Sequence, residues 1–191
     1  MTTRLIAAFA ACFLVTACGA EGPARKATDP APASALAPAP EPTPASTGEA
    51  NMLASAMGTW MGTKKLWIRD PNAPEVSDTE VVVSANRVSY TWSFQGRPQS
   101  GTIELSKKGD RVYAKWNDTW HSTKTMACEG TDTDGRIVFT GTYAAGDGPD
   151  WSWRTELDLS KPGDFGLKMF NITPTGEERI AVHMELTAAS D

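Results

Sequence analysis

Beyond residue 58 the chain is governed by an apolar/polar alternation of period two that returns in segment after segment. Tyr90, Trp92 and Phe94 fall on one side of one segment, with Ser89, Thr91 and Ser93 on the other. Ile103 and Leu105 oppose Thr102, Glu104 and Ser106, and Val112, Ala114 and Trp116 oppose Arg111, Tyr113 and Lys115. Trp151, Trp153, Leu157 and Leu159 oppose Ser152, Arg154, Glu156 and Asp158. Near the C-terminus Ile180, Val182, Met184 and Leu186 oppose Ala181, His183, Glu185 and Thr187. Successive side chains of a strand point to opposite faces, so each segment reads as a strand with one apolar and one wet face.

Turn signals separate these segments: Pro71-Asn72, Asn86-Arg87, Gly96-Arg97-Pro98, Lys108-Gly109-Asp110, Asp132 to Gly135, Gly146 to Pro149, Lys161 to Asp164 and Pro174-Thr175-Gly176. They predict strands over 58–68, 79–85, 87–95, 100–106, 111–117, 120–128, 136–143, 151–159, 165–171 and 178–187, after a single helical turn within 51–57. With no long helix to cover their apolar faces, the strands must close on themselves or pack against a second sheet. Closure is the expectation: an all-β domain over residues 51–188, built as a single antiparallel barrel of roughly 8–10 strands.

The N-terminus predicts the address. Arg4, the apolar run Leu5 to Val15 and Val15-Thr16-Ala17-Cys18 form a charged region, a hydrophobic core and a small-residue cleavage site. Such a run is too short for a resident membrane helix and has the layout of a removable signal over residues 1–17. Val-Thr-Ala-Cys resembles the lipobox of bacterial lipoproteins, which implies an acylated (palmitate-bearing) Cys18 as first mature residue and a lipid bilayer as partner. Each buried methylene of such chains stabilises attachment by about 0.8 kcal/mol. Gly19 stands where some inner-membrane lipoproteins carry Asp, so the resemblance favours the outer over the inner membrane, facing the periplasm.

Residues 18–50 follow as a tether. Pro23, Pro30, Pro32, Pro38, Pro40, Pro42 and Pro44 alternate with alanines, and Leu36 is the one large aliphatic residue between Gly19 and Ala50. Such a composition cannot bury enough apolar surface to fold and is expected to be disordered. Extended at about 3.1 Å per residue it would reach roughly 100 Å from the bilayer. Signal removal takes away one charge, Arg4, so the formal net charge goes from -5 to -6. An acidic chain without a Lys/Arg cluster is not expected to bind nucleic acid. Of the three cysteines, Cys12 leaves with the signal and Cys18 is acylated. Cys128 then stands alone, without a disulfide partner, and reads as a small buried hydrophobe.

Seven tryptophans, Trp60, Trp67, Trp92, Trp116, Trp120, Trp151 and Trp153, suit a core or a pocket wall, since each large apolar face carries an N–H that wants an acceptor. Gly58-Thr59-Trp60 on the first strand resembles the opening of the calycin barrels, the group of lipocalins and fatty-acid-binding proteins. Four further segments resemble the calycin-like bacterial domain-of-unknown-function family 1579: Trp116 to His121, Gly141 to Tyr143, Gly148 to Arg154 and Met169 to Gly176. The resemblance implies that Trp60 plugs the closed end of the barrel. In lipocalins a basic residue packs across that tryptophan, and Arg154 or Arg179 would have to serve. Inward-facing Tyr90, Trp92, Phe94, Trp116, Trp151, Trp153 and Met184 are the candidate cavity wall by alternation.

Two histidines, His121 and His183, are too few for a three-histidine zinc site, and no metal centre is expected. Gly58, Trp60 and Gly62 also resemble the Gly-x-Trp-x-Gly opening of nitrobindins, which ligate haem through a histidine near the C-terminus. There the pattern continues with a glycine where this chain has Lys64, and alternation turns His183 outward with Glu185 and Thr187. No cofactor is therefore expected. No nucleophile elbow, phosphate loop or metal motif is present, and catalysis is not required. Asp118, His121 and Arg154 are candidate polar groups at the barrel mouth, although Asn117-Asp118-Thr119 reads first as a turn. The expectation is a lipid-anchored envelope barrel that binds a small hydrophobic or amphipathic ligand. The alternatives are a filled barrel acting as an interaction module, a haem binder, or an enzyme using His121 with Asp118.

Overall fold

The expected segments pair into one closed sheet. The computed structural model describes residues 51–68 and 70–190; the expected signal over 1–17, the expected acylation at Cys18 and the expected tether to residue 50 lie outside them. The strands are β1 (Gly58–Leu66), β2 (Glu75–Ser84), β3 (Arg87–Phe94), β4 (Arg97–Lys108), β5 (Arg111–Asp118), β6 (Ser122–Thr133), β7 (Arg136–Tyr143), β8 (Trp151–Asp158), β9 (Gly166–Ile172) and β10 (Glu178–Ala188). Each pairs antiparallel with its sequence neighbour, and β1 pairs with β10 to close a ten-stranded barrel. Closure removes both sheet edges, which is how a half-apolar sheet without helices protects its backbone. Among the described residues no helix is long and apolar enough to cross a membrane.

The alternation decides what lies inside. Val81, Val83, Val88, Tyr90, Trp92, Ile103, Leu105, Val112, Ala114, Trp116, Ile137, Phe139, Trp153, Leu157, Leu167, Met169 and Met184 form one buried cluster. The charges between them make cross-strand pairs outside, such as Arg87–Glu104, Lys107–Asp132 and Lys65–Glu185. Exposed pairs of this kind contribute about 0–1 kcal/mol each.

One end is sealed. The chain enters through a 3-10 turn, Ala54–Ala56, that buries Leu53 and Ala56. Trp60 donates its indole N–H to Ala56 O at 2.9 Å and packs against Phe165, ring centroids 5.7 Å apart. Neither Arg154 nor Arg179 takes the position across Trp60. Arg154 lies over Phe170 and pairs with Glu156 and Glu178, while Arg179 pairs with Glu177 next to the β9–β10 turn. Phe165 covers the tryptophan instead.

Two local expectations change. β6 continues to Thr133, so its hairpin with β5 turns at residues 119–121 and Trp120 and His121 lie in the turn rather than in the strand. In β10 the register with β9 shifts between Ile180 and Val182. The extra residue, Ala181, is buried, and its carbonyl accepts Trp67 N–H at 2.9 Å as the chain leaves β1. A bulge inverts the alternation before it. Ile180 therefore shares a row with Phe170, and Arg179 shares one with Asn171 and Trp153.

Candidate ligand site at the barrel mouth

The turns that follow the odd-numbered strands surround the end opposite Trp60, and the residues that alternation delivers there are aromatic and polar rather than aliphatic. β1 delivers Lys64 and Leu66, β3 Trp92 and Phe94, β5 Trp116 and Asp118, β7 Tyr143, β8 Trp151 and Trp153, and β9 Asn171.

Asp118 organises the turn after β5. Its Oδ1 accepts the backbone N–H groups of Trp120 at 2.8 Å and His121 at 3.0 Å, and its Oδ2 accepts Tyr90 O–H at 3.0 Å. Tyr90 in turn accepts the indole N–H of Trp116 at 2.7 Å. Burial, with the Asp118 charge adding to it, pushes the Tyr90 phenol well above its ordinary pKa, so it remains a donor at any ordinary pH. Asp118 thus holds His121 by its main chain. It acts on the imidazole through space, opposing the burial that lowers the His121 pKa.

The turn lays two rings across the mouth. Trp120 meets Trp92 and Phe94 edge-on at 5.9 and 5.5 Å, and His121 sits 4.5 Å from Tyr143 and 4.7 Å from Trp153. Beneath them Trp116 and Trp153 stack at 5.1 Å with planes 14° apart. The rings expected to wall a ligand-sized void therefore fill most of it. About 20 Å³ remains among Lys64, Tyr90, Trp92, Trp116, Trp153 and Met184, room for about one water.

Larger spaces lie further out. A recess of about 150 Å³ opens between β1, β2 and the β3–β4 hairpin, sharing Lys64, Leu66 and Trp92 with the inner cavity and adding Glu75, Ser77 and Phe94. An open groove of about 760 Å³ is lined by Trp67, Ile68, Trp151, Asn171, Arg179 and Ile180 among others. Trp151, Asn171 and Ile68 stand two residues outward along the chain from Trp153, Met169 and Leu66, which line the inner cavity.

The residue that sequence reasoning missed is Lys64. It is 2 % exposed, its Nζ has no hydrogen-bond partner, and the ammonium rests against the Trp92 ring. Desolvation lowers its pKa from 10.5 to about 7, against the opposing pull of Asp118 and then Glu75. Its signal was available: Trp60, Gly62, Lys64 and Leu66 continue one inward row.

Of the expected cavity wall, Tyr90, Trp92, Trp116, Trp153 and Met184 line the inner cavity; Phe94 lies at its rim and Trp151 in the outer groove. Asp118 and His121 come together at the mouth, and Arg154 stays on the outer face. His183 also lies on the outer face, in the register of Lys65 and Lys168, where burial and then Lys168 lower its pKa. Cys128 is buried and free, its thiol pushed up to about 11 by desolvation. Among the described residues no group of three or more His, Cys, Asp or Glu could hold a metal ion.

Fold and site together define a closed ten-stranded antiparallel barrel, sealed at one end and lined at the other by aromatic rings around a buried lysine. No family model matches the chain, and no curated protein matches it. Among solved structures it is similar to Rv2717c from M. tuberculosis, with a TM-score of 0.49 and 16 % identity, covering 74 % of this chain and 99 % of that one.

Proposed function

We propose that the protein is a lipid-anchored envelope protein, held to the bilayer by acylated Cys18, whose barrel mouth binds a small amphipathic ligand without chemistry. The observation that carries this reading is the open groove of about 760 Å³, which joins apolar Trp67, Ile68, Trp151 and Ile180 to polar Asn171, Thr173 and Arg179. Its volume falls within the range of about 300–1,000 Å³ common to small-molecule sites, and a few convergent polar groups on an apolar wall are what orient such ligands. The apolar part of the ligand lies against Trp151 and Ile180, on the mouth side of the packed interior.

Titration of the chain with short-chain amphiphiles, followed by tryptophan fluorescence, tests the reading. Saturable quenching that Trp151→Ala weakens is the expected result. If no amphiphile perturbs the emission, or Trp151→Ala leaves binding unchanged, the mouth is not a ligand site. The packing of Trp116 on Trp153 favours a second reading, a filled barrel that serves as an envelope interaction module.

A further inference from the structure

We infer that the space around Lys64 is an oxyanion subsite, and that the ligand of the mouth carries a carboxylate head which Lys64 and Trp92 receive; this rests on the mouth reading above. Buried polar side chains normally have partners, and removing one leaves a cost of about 1–3 kcal/mol per group. Four polar atoms at this place have none: Lys64 Nζ, Trp92 Nε1, Trp153 Nε1 and His121 Nε2, all on side chains that line the 20 Å³ cavity. A fifth, Ser77 Oγ, belongs to the adjoining recess. Lys64, Trp92 and Trp153 are at most 7 % exposed.

These groups are chiefly donors. An ammonium offers three N–H bonds and each indole one, whereas a single water accepts two. A carboxylate, with about four lone-pair sites, matches that surplus, and its bonds to an ammonium are of the strong charge-assisted kind. The inner cavity alone is too small for it, but the recess of about 150 Å³ shares Lys64 and Trp92 and is not.

Other charges face Lys64 from the neighbouring elements. Asp118 on β5 and Glu75 on β2 are acidic, Tyr90 on β3 is held neutral, and His121 in the β5–β6 turn has a lowered pKa. Asp118 is already engaged by three donors and, like Glu75, acts on Lys64 only through space, so the ammonium still lacks a hydrogen-bonded counter-ion. An arriving carboxylate supplies one and draws a proton onto Lys64.

The test compares octanoate with octanol by calorimetric titration at pH 6.5 and pH 8.5, in the wild-type chain and in Lys64→Met. Octanoate is ionised at both values, so any change between them belongs to the protein. At pH 6.5 octanoate binds the wild type more tightly than octanol. Its affinity falls about 25-fold by pH 8.5 as the protonated fraction of Lys64 declines, while octanol changes little. In Lys64→Met the preference and its pH dependence are both lost and octanol still binds. Octanol binding as well as octanoate at pH 6.5, or a preference that survives in Lys64→Met, overturns the oxyanion subsite while leaving the groove intact. Failure of both probes to bind the wild type overturns the mouth reading, and the subsite with it.

Discussion

Lys64 should make the barrel more stable as the pH rises, the reverse of what a lysine with a partner does. Its pKa is about 7 in the fold and 10.5 in the unfolded chain, so between those values the unfolded state holds more protons than the native one. Unfolding free energy then increases with pH, approaching about 1.4 kcal/mol per unit. Below pH 7 the ammonium is charged in both states and the destabilisation is fully present. Cys128 sets the upper limit of a clean window. Its thiol rises from 9.0 to about 11 on folding, so the native state holds the extra proton and stability falls through that range. From pH 7 to pH 9 the lysine dominates, since the unfolded thiol begins to ionise only as pH 9 is approached, and the two titrations together give about 2 kcal/mol of added stability. Lys64→Met keeps the chain length and removes the buried charge. It should abolish the rise and stabilise the domain at pH 7 by about 1–4 kcal/mol, as replacing buried charge by well-packed apolar groups does. Urea unfolding at a series of pH values in carboxylate-free buffer measures both. A wild-type stability that is flat or falling between pH 7 and pH 9, or a less stable Lys64→Met, refutes a buried, unpartnered lysine.

Three other substitutions or reactions probe the mouth and the wall. Tyr90→Phe strands Trp116 Nε1 and Asp118 Oδ2, which Tyr90 serves at 2.7 and 3.0 Å; it should lower unfolding free energy by about 1–3 kcal/mol in denaturant titrations. Gly101→Ala places a Cβ about 2.1 Å from Tyr90 Cζ, so the ring must move; a loss of about 1–3 kcal/mol is expected, and an unchanged Tm would show that Tyr90 has space the structure does not give it. Cys128, with its thiol near 11, should react with a disulfide reagent at pH 8 far more slowly in the native protein than in denaturant, and equal rates would place it at the surface.

Much of this architecture was readable from residue order because a closed meander is local. Each strand pairs with its neighbour, so alternation such as Tyr90-Thr91-Trp92 and turns such as Lys108-Gly109-Asp110 suffice to set ten strands in sequence. What stayed hidden depends on contacts between distant residues. The bulge at Ala181 answers Trp67 N–H across the β1–β10 seam, and no local pattern marks it. Trp151 and Phe94 obey the inward parity yet lie at the rim, because parity tells the face of a strand and not the depth along the barrel. Trp116 and Trp153 are far apart in sequence, and that they stack rather than enclose a void is a property of the closed wall. Lys64 is legible by parity, but a lysine in an inward row runs against the usual cost of burying charge. Conflicts of that kind are expected at functional sites.

On the proposed reading, ligand meets the barrel at the aromatic end around Lys64 and not at the end closed by Trp60. The indole N–H resonances of the seven tryptophans, followed by proton–nitrogen NMR during an octanoate titration, test it directly. Saturable shifts are expected at Trp92, Trp151 and Trp153, with Trp60 unmoved because its N–H is held by Ala56 O at the sealed end. Shifts confined to Trp60, or none at any indole, would contradict it.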